Sequence, residues 1–262
     1  MKNILVLDSG VGAISIANEI RKLIKANLFI YIDNLHAPLG EKDEKELKQI
    51  ALNVVRENLE KYKIDLVVVA CNTLTVATIK YLREKFNIPF VGTEPNIKVK
   101  EKNAIILCTT YTANNCQIIK SSSLNKIALP KLATLIDKNL RNLRVLSGYL
   151  SSFLLNFKNQ RIETISLGCT HYTYIESIVK KYLPEVKIYQ NKEGVAKRVK
   201  SLLKDLSKND LMNRKKEKDV KHYNLKRVRK NIKPNGGKVK LILSKKDKKF
   251  KKQLKRFLKI KD

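Results

Sequence analysis

Short apolar runs alternate along the chain with segments whose apolar residues recur every three to four positions, a pattern that indicates β-strands alternating with α-helices. In the first hundred residues, strands are expected at residues 3–8, 28–32, 64–70 and 88–92, and helices near residues 14–23, 41–62 and 74–86. Strands joined through helices pair in parallel with right-handed crossovers. This part of the chain is therefore predicted to form a parallel sheet flanked by helices.

The same pattern restarts about one hundred residues later. An apolar strand ends in Cys108-Thr109-Thr110, much as the first strand ends in Asp8-Ser9-Gly10. The strands and the helix expected in this part are at residues 104–107, 164–167, 186–189 and 193–203. The repeat predicts an α/β fold of two similar halves with mainly parallel sheets.

The last fifty residues are the most basic part of the chain. Residues 207–235 are polar and show little periodicity, whereas Gly236-Gly237 predicts a turn before a strand at residues 238–243. A closing helix is expected to bury Phe250, Leu254, Phe257 and Leu258 on one face. The basic segment therefore contains folded structure.

The formal net charge of +31 raises the question of an anionic partner. Lysine and arginine number 55 against 24 acidic residues, and residues 211–262 carry 22 of the basic and 4 of the acidic residues. Nucleic-acid binding would fit this charge. However, only 6% of the residues are aromatic, so stacking platforms are scarce, and no nucleic-acid motif is present. A lysine-rich solvated surface is the favoured interpretation, and nucleic-acid binding is not expected.

Composition narrows the class of protein further. A chain of 262 residues with 43% hydrophobic residues can bury a substantial core. No run of 18 apolar residues predicts a membrane span, and the N-terminus does not resemble a secretory signal. The four cysteines and three histidines match no zinc pattern, so free thiols and no metal are expected. These features favour a cytoplasmic protein.

Two similar motifs carry the candidate chemistry. Ala70-Cys71-Asn72-Thr73 and Gly168-Cys169-Thr170-His171 each follow an apolar run and precede a segment that reads as helix. One lone cysteine would more often be an inert buried thiol. A helix N-terminus, however, favours thiolate, and ligands gather where parallel strands end. Two thiols in matching settings therefore suggest one site in which a proton moves between opposed bases.

Other polar residues near these motifs are candidates for supporting roles. Asp8 and Ser9 end the first strand and could face the site. A phosphate-binding loop is disfavoured there because Gly10 and Gly12 are followed by Ser15 and not by a third glycine. His171 could orient or charge the neighbouring thiol. Cys108 and Cys116 are expected to be bystanders.

The chain resembles the cofactor-independent glutamate racemases of the aspartate/glutamate racemase superfamily. The resemblance rests on Leu7-Asp8-Ser9-Gly10-Val11-Gly12, Val69-Ala70-Cys71-Asn72-Thr73, Pro89-Phe90-Val91-Gly92-Thr93-Glu94-Pro95 and Leu167-Gly168-Cys169-Thr170-His171-Tyr172. Weaker similarity continues through Glu193-Gly194-Val195-Ala196 to the closing strand and helix. The motifs occur in the expected order over nearly the whole chain.

The resemblance implies two α/β domains with the active site in the cleft between them. Residues 1–96 and 205–262 would form the first domain, with a returning C-terminal strand and helix, and residues 97–204 the second. The implied reaction interconverts L- and D-glutamate without pyridoxal phosphate or metal, and supplies D-glutamate for peptidoglycan. A homodimer is a further expectation that the sequence leaves open.

The resemblance also implies roles for individual residues. Cys71 and Cys169 would be opposed bases, with Cys169 taking the proton from L-glutamate, and Asp8 and His171 would assist them. Asp137 aligns loosely with an acidic helper. The substrate would be held by Ser9, Pro38, Gly40, Asn72, Thr73, Thr109, Thr112 and Thr170.

Several residues depart from the family pattern without touching the thiols. Leu39 replaces a tyrosine between Pro38 and Gly40, and Ala13, Asn115 and Gln190-Asn191 stand where a glycine, a serine and an Asp-Ser pair are usual. These departures bear on turnover and substrate preference. Two alternatives follow: a racemase for aspartate or a related amino acid, or a non-catalytic relative that binds anionic partners through its basic surface.

Overall fold

The computed structural model describes residues 1–96, 103–122, 124–158, 160–216 and 237–258, with side chains excluded at residues 207–216. Two parallel sheets organise this part of the chain. The strands of the first sheet are β1 (Asn3–Asp8), β2 (Asn27–Ile32), β3 (Leu66–Val69), β4 (Phe90–Gly92) and β9 (Val239–Leu243). Their order is β4-β3-β1-β2-β9, and each neighbouring pair is parallel.

The second sheet contains four strands. They are β5 (Ala104–Cys108), β6 (Asn125–Ala128), β7 (Thr164–Gly168) and β8 (Lys187–Tyr189). They lie in the order β6-β5-β7-β8, again all parallel. β5 and β7 are buried throughout, as expected for central strands covered on both faces.

The two sheets share one strand order. The first four strands along the chain in each half are arranged as β4-β3-β1-β2 in the first sheet and as β8-β7-β5-β6 in the second. In both sheets the fourth strand is at one edge and lies next to the third. β3 and β7, which precede the two cysteines, therefore occupy equivalent positions. This confirms the predicted pair of similarly built α/β halves. The domain boundaries at residues 96 and 205 stay predictions.

Ten α-helices connect and cover the strands in the described ranges. They are α1 (Gly12–Leu23), α2 (Glu44–Lys61), α3 (Asn72–Lys85), α4 (Thr110–Asn115), α5 (Gln117–Lys120), α6 (Leu132–Lys138), α7 (Leu143–Lys158), α8 (Glu176–Tyr182), α9 (Lys192–Lys216) and α10 (Lys248–Phe257). None of the helices in these ranges combines the length and the apolar character needed to cross a bilayer.

Helix boundaries differ from the sequence prediction for local reasons. α2 begins at Glu44 and not at residue 41, because the Asp43 carboxylate caps it by accepting from the Glu46 N–H at 2.8 Å. The residues before it, Leu39–Glu41, form a short 3₁₀ turn. α9 continues to Lys216, so the segment with little periodicity is helical at its start. Residues 217–236 lie outside the described residues.

The C-terminal strand and helix return to the first sheet. β9 pairs in parallel with β2 at the edge of the first sheet. α10 buries Leu254 and Leu258 as predicted. Its last turn is tied to α1, because Asn18 donates to the Phe257 carbonyl at 2.7 Å and Arg21 donates to the Leu258 carbonyl at 2.8 Å. β9 and α10 are thus held beside β2 and α1.

One apolar core spans both halves. It includes Ile14 and Ile20 of α1, Leu150 and Leu154 of α7, and Val199 of α9. α1 packs along α9 and also against the 3₁₀ segment Thr170–Ile175 that follows the second cysteine. The second cysteine motif is therefore positioned by packing that joins the halves.

Candidate active site

The two cysteines line one pocket. Cys71 lies two residues beyond β3 at the start of α3, and Cys169 directly follows β7. Each side chain is almost buried, with 7% and 6% of its surface exposed, and all four cysteines are free thiols. The predicted site residues that line the pocket are Ser9, Pro38, Gly40, Cys71, Asn72, Thr73, Thr109, Asp137, Cys169 and His171.

Burial and charge hold Cys71 in its protonated form. Burial raises the pKa of this thiol well above its ordinary value, and the negative charge of Asp8 raises it further. The backbone N–H groups of Leu74 and Thr73, at the N-terminus of α3, oppose part of this increase. The helix end thus favours a charged sulfur, while burial and Asp8 keep the resting group neutral.

Asp8 lies behind the pocket wall and is fully buried. Its carboxylate accepts from the Ser9 N–H at 2.7 Å and from the Thr170 hydroxyl at 2.8 Å. Burial raises the pKa of Asp8, and the charge of His171 and these two hydrogen bonds offset part of the increase. Since Thr170 follows β7, this hydrogen bond joins the two halves next to the thiols.

A chain of polar groups leads away from Cys169. The His171 Nδ1 is 3.9 Å from the Cys169 sulfur, and its Nε2 is 3.2 Å from Asp137 Oδ2. The other oxygen of Asp137 accepts from the Val11 N–H at 2.9 Å. Burial alone lowers the pKa of His171, but the carboxylate of Asp137 and the neighbouring Cys169 raise it well above its ordinary value. An imidazolium beside the Cys169 sulfur is therefore favoured.

Threonine hydroxyls form a second link between the halves. Thr73 Oγ1 lies 2.9 Å from Thr109 Oγ1, which donates to Thr112 Oγ1 at 3.0 Å. Thr112 is fully buried behind Thr109 and does not line the pocket. Asn72, at the first turn of α3, donates to the Thr93 carbonyl at 2.9 Å. Of the predicted substrate contacts, Thr112 and Thr170 thus lie behind the wall and the others lie on it.

The first glycines pack closely against acidic and imidazole groups. A Cβ at Gly10 would lie 2.7 Å from the Asp137 carboxyl carbon, and one at Gly12 would lie 2.6 Å from Asp8 Oδ2. Side chains at these positions would collide with the groups that flank the thiols. The turn after β1 therefore needs glycine for close approach to those groups.

Some pocket residues were not anticipated from the sequence. Pro130, Ala133 and Thr134 line the wall contributed by α6 and the loop before it. Ala133 and Asp137 are four residues apart on α6, so they share one helix face. If the sequence had indicated a helix at residues 132–138, the i, i+4 spacing of Ala133 and Asp137 would have placed both on the same side.

Of the residues that depart from the family pattern, some line the pocket and others do not. Leu39 lines the pocket and is 2% exposed, so an apolar side chain occupies the position of the tyrosine. Ala13 is buried in α1, and Asn115 donates to the Tyr111 carbonyl. Gln190 donates to Glu176 and, like Cys169, borders a smaller pocket behind the site.

Two further thiols lie outside the pocket. Cys108 and Cys116 are buried, and burial raises the pKa of Cys108 to about 12. In the described ranges, no group of three or more histidine, cysteine, aspartate or glutamate side chains is placed to hold a metal ion. The polar groups of the pocket are suited to proton transfer and to binding a carboxylate.

Sequence comparison relates the chain to curated proteins over most of its length. A glutamate racemase of Aliarcobacter butzleri is 36% identical over 214 residues, which cover 75% of this chain and 82% of that protein. A glutamate racemase of Clostridium acetobutylicum is 33% identical over 222 residues, covering 79% and 85%. No family model matches the chain.

Solved structures agree in fold. Glutamate racemase RacE1 of Bacillus anthracis is 26% identical with a TM-score of 0.75, covering 99% of this chain and 94% of that one. The Escherichia coli enzyme, solved with L-glutamate and the activator UDP-MurNAc-Ala, is 28% identical with a TM-score of 0.65, covering 78% and 82%. Two parallel α/β halves around one pocket therefore place the protein in the class of amino-acid racemases.

The particular family follows from the sequence identity. With relatives above 30% identical across four fifths of their length, the chain belongs to the glutamate racemase family.

Proposed function

We propose that the protein interconverts L- and D-glutamate in the cytoplasm by proton transfer between Cys71 and Cys169, and supplies D-glutamate for peptidoglycan. The observation that carries this proposal is that the two thiols line one pocket and follow equivalent strands of two matching sheets. The related glutamate racemases support glutamate as the substrate. The aspartate alternative has no specific feature of the pocket in its favour.

In the proposed reaction, Cys169 acts as thiolate and removes the α-proton of L-glutamate. The C–H bond breaks, its electron pair delocalises into the α-carboxylate, and the proton ends on sulfur. The Cys71 thiol then gives its own proton to the opposite face of the α-carbon, which forms D-glutamate. For the next turnover, proton exchange returns each sulfur to its starting state, and the reverse reaction exchanges the two roles.

The electrostatics of the pocket support the Cys71 thiol as the proton donor. Burial, and then the charge of Asp8, favour the protonated form of Cys71. On the other side, His171 and Cys169 attract each other in their charged forms, which raises the pKa of His171. His171 is then placed to stabilise the Cys169 thiolate, with Asp137 holding the ring.

The developing carbanion needs donors that are already in position. Hydroxyl groups of Ser9, Thr73 and Thr109 lie on the pocket wall, and the N-terminus of α3 contributes its positive dipole end. Preorganised donors around a carboxylate stabilise the charge that it gains in the transition state. We propose that these groups bind the α-carboxylate and the side-chain carboxylate of glutamate.

Deuterium exchange with single-cysteine variants tests the mechanism. In D₂O, the wild type should convert L-glutamate into D-glutamate labelled at the α-carbon. Cys71→Ala should abolish racemisation, yet allow Cys169 to exchange the α-proton of L-glutamate. Cys169→Ala should abolish racemisation and restrict exchange to D-glutamate. Each variant thus reports one face of the substrate.

Cys116→Ala is the matched control, since it removes a buried thiol outside the pocket and should keep racemisation. Wild-type turnover in either pocket variant would overturn the two-thiol mechanism. Absence of exchange with both glutamate and aspartate in the wild type would overturn the proposed activity. Turnover of L-aspartate alone would select the aspartate alternative.

A further inference from the structure

A second and much larger cavity adjoins the active-site pocket. Its volume is about 690 Å³, and four residues line both spaces: Ser9, Ala37, Thr134 and Asp137. The space between the thiols, by comparison, is about 30 Å³. The larger cavity therefore lies where a substrate would approach the pocket from solvent, and we call it the vestibule.

Lysines dominate the outer wall of the vestibule. Lys245 and Lys246 lie in the loop after β9, Lys248 and Lys249 lie in the first turn of α10, and Lys138 ends α6. All five side chains belong to exposed residues. Within the part of the chain that the structure describes, none of the five ammonium groups has a carboxylate within ion-pair distance.

The acidic groups of the vestibule are engaged elsewhere. Asp137 faces His171 and accepts from the Val11 N–H, and Asp247 caps α10 by accepting from the Phe250 N–H at 2.8 Å. Five ammonium groups thus face two occupied carboxylates, a net excess of three positive charges. The N-terminal end of α10 adds its positive dipole to the same wall.

We infer that the vestibule captures the anionic amino-acid substrate and delivers it to the thiols. This inference rests on the proposed function, because the ligand is the substrate of that reaction. Glutamate carries two carboxylates and one ammonium group, so it enters as an anion. A cleft lined by one sign of charge raises the local concentration of an oppositely charged ligand and its rate of association.

The vestibule lysines differ from other lysines of the same helix. Lys251, Lys252 and Lys255 are also on α10 but do not line the cavity. If lysine served only to keep the surface solvated, removing charge from the vestibule lysines or from the other three should change kcat/KM equally. If the vestibule guides the substrate, only the vestibule lysines should affect kcat/KM, and salt should weaken their contribution.

Steady-state kinetics with two triple variants make this comparison. The test variant is Lys246→Gln, Lys248→Gln and Lys249→Gln, and the control is Lys251→Gln, Lys252→Gln and Lys255→Gln, with the same change in net charge. At low ionic strength, the test variant should lose roughly fivefold in kcat/KM for L-glutamate with unchanged kcat. The control should stay within about twofold of the wild type.

The salt dependence of the wild type provides a check that needs no variant. Its kcat/KM should fall as sodium chloride rises to about 0.5 M, where the Debye length is only a few ångströms, and the test variant should show a shallower decrease. Equal effects of the two triple variants, or a wild-type kcat/KM independent of salt, would overturn the inference that the vestibule captures the substrate. A wild type that does not racemise glutamate would instead overturn the proposed function.

Discussion

Replacing Asp137 by asparagine tests the polar chain behind Cys169. The change keeps the size of the side chain and an oxygen for the Val11 N–H, but removes the negative charge 3.2 Å from His171 Nε2. Because this carboxylate raises the pKa of His171, its loss should lower that pKa. The imidazolium that supports the Cys169 thiolate would then be lost at a lower pH.

The size of the effect follows from the contact. Two unit charges 3.2 Å apart attract by about 5 kcal/mol at an effective dielectric constant of about 20, which is an upper bound. A hydrogen bond to a charged group contributes about 1.5–3 kcal/mol net. Each 1.4 kcal/mol or so changes a rate about tenfold. A loss of about 1.5–3 kcal/mol therefore corresponds to a roughly ten- to hundredfold decrease in kcat/KM.

The pH profile separates this explanation from a general disturbance of the fold. Activity that needs charged His171 is present below the pKa of His171 and is lost as pH rises through it. Asp137→Asn should therefore recover part of its activity when the pH is lowered, whereas the wild type should not. Asp65→Asn, at the opposite edge of the first sheet, removes the same charge and should leave the profile unchanged. A wild-type kcat/KM and profile in Asp137→Asn would refute the assigned role.

Two further substitutions separate stability from catalysis. Because burial raises the pKa of Asp8, ionisation of Asp8 costs stability, and this cost appears as pH rises through that pKa. Asp8→Asn should therefore match the wild type in Tm near pH 4, exceed it in Tm at neutral pH, and lose racemase activity; a lower Tm at neutral pH would contradict this. Leu154→Ala, in the core of α7, should cost about 2–5 kcal/mol in urea unfolding, with turnover per folded molecule preserved.

The paired thiols could be predicted because their signal is local. Cys71 and Cys169 each follow an apolar strand and precede a helical segment, so each is expected at the carboxyl edge of its own sheet. The expectation that the C-terminal strand returns to the first half came instead from the family resemblance, whose motifs are spread over nearly the whole chain.

Features made by distant contacts could not be predicted in the same way. α6 is seven residues long, so its apolar spacing is too short to stand out, although it supplies Asp137 and Thr134 to the pocket. α7 is absent from the sequence prediction even though Leu146, Leu150 and Leu154 recur at helical spacing. The net charge was evident from the sequence, but the placement of four C-terminal lysines around the vestibule depends on where the C-terminal strand packs.

The matching strand order of the two sheets has a consequence for the direction of catalysis. Enantiomers have equal free energy in water, so the equilibrium constant between them is one, and neither direction is downhill. An enzyme for such a pair must present comparable chemistry to both mirror-image faces of the same carbon. A chain folded as two topologically equivalent halves presents one thiol at the same relative position in each half. In the proposed two-thiol reaction, this internal repetition places one thiol on each face of the α-carbon, and Asp8 near Cys71 and His171 near Cys169 distinguish the two sides.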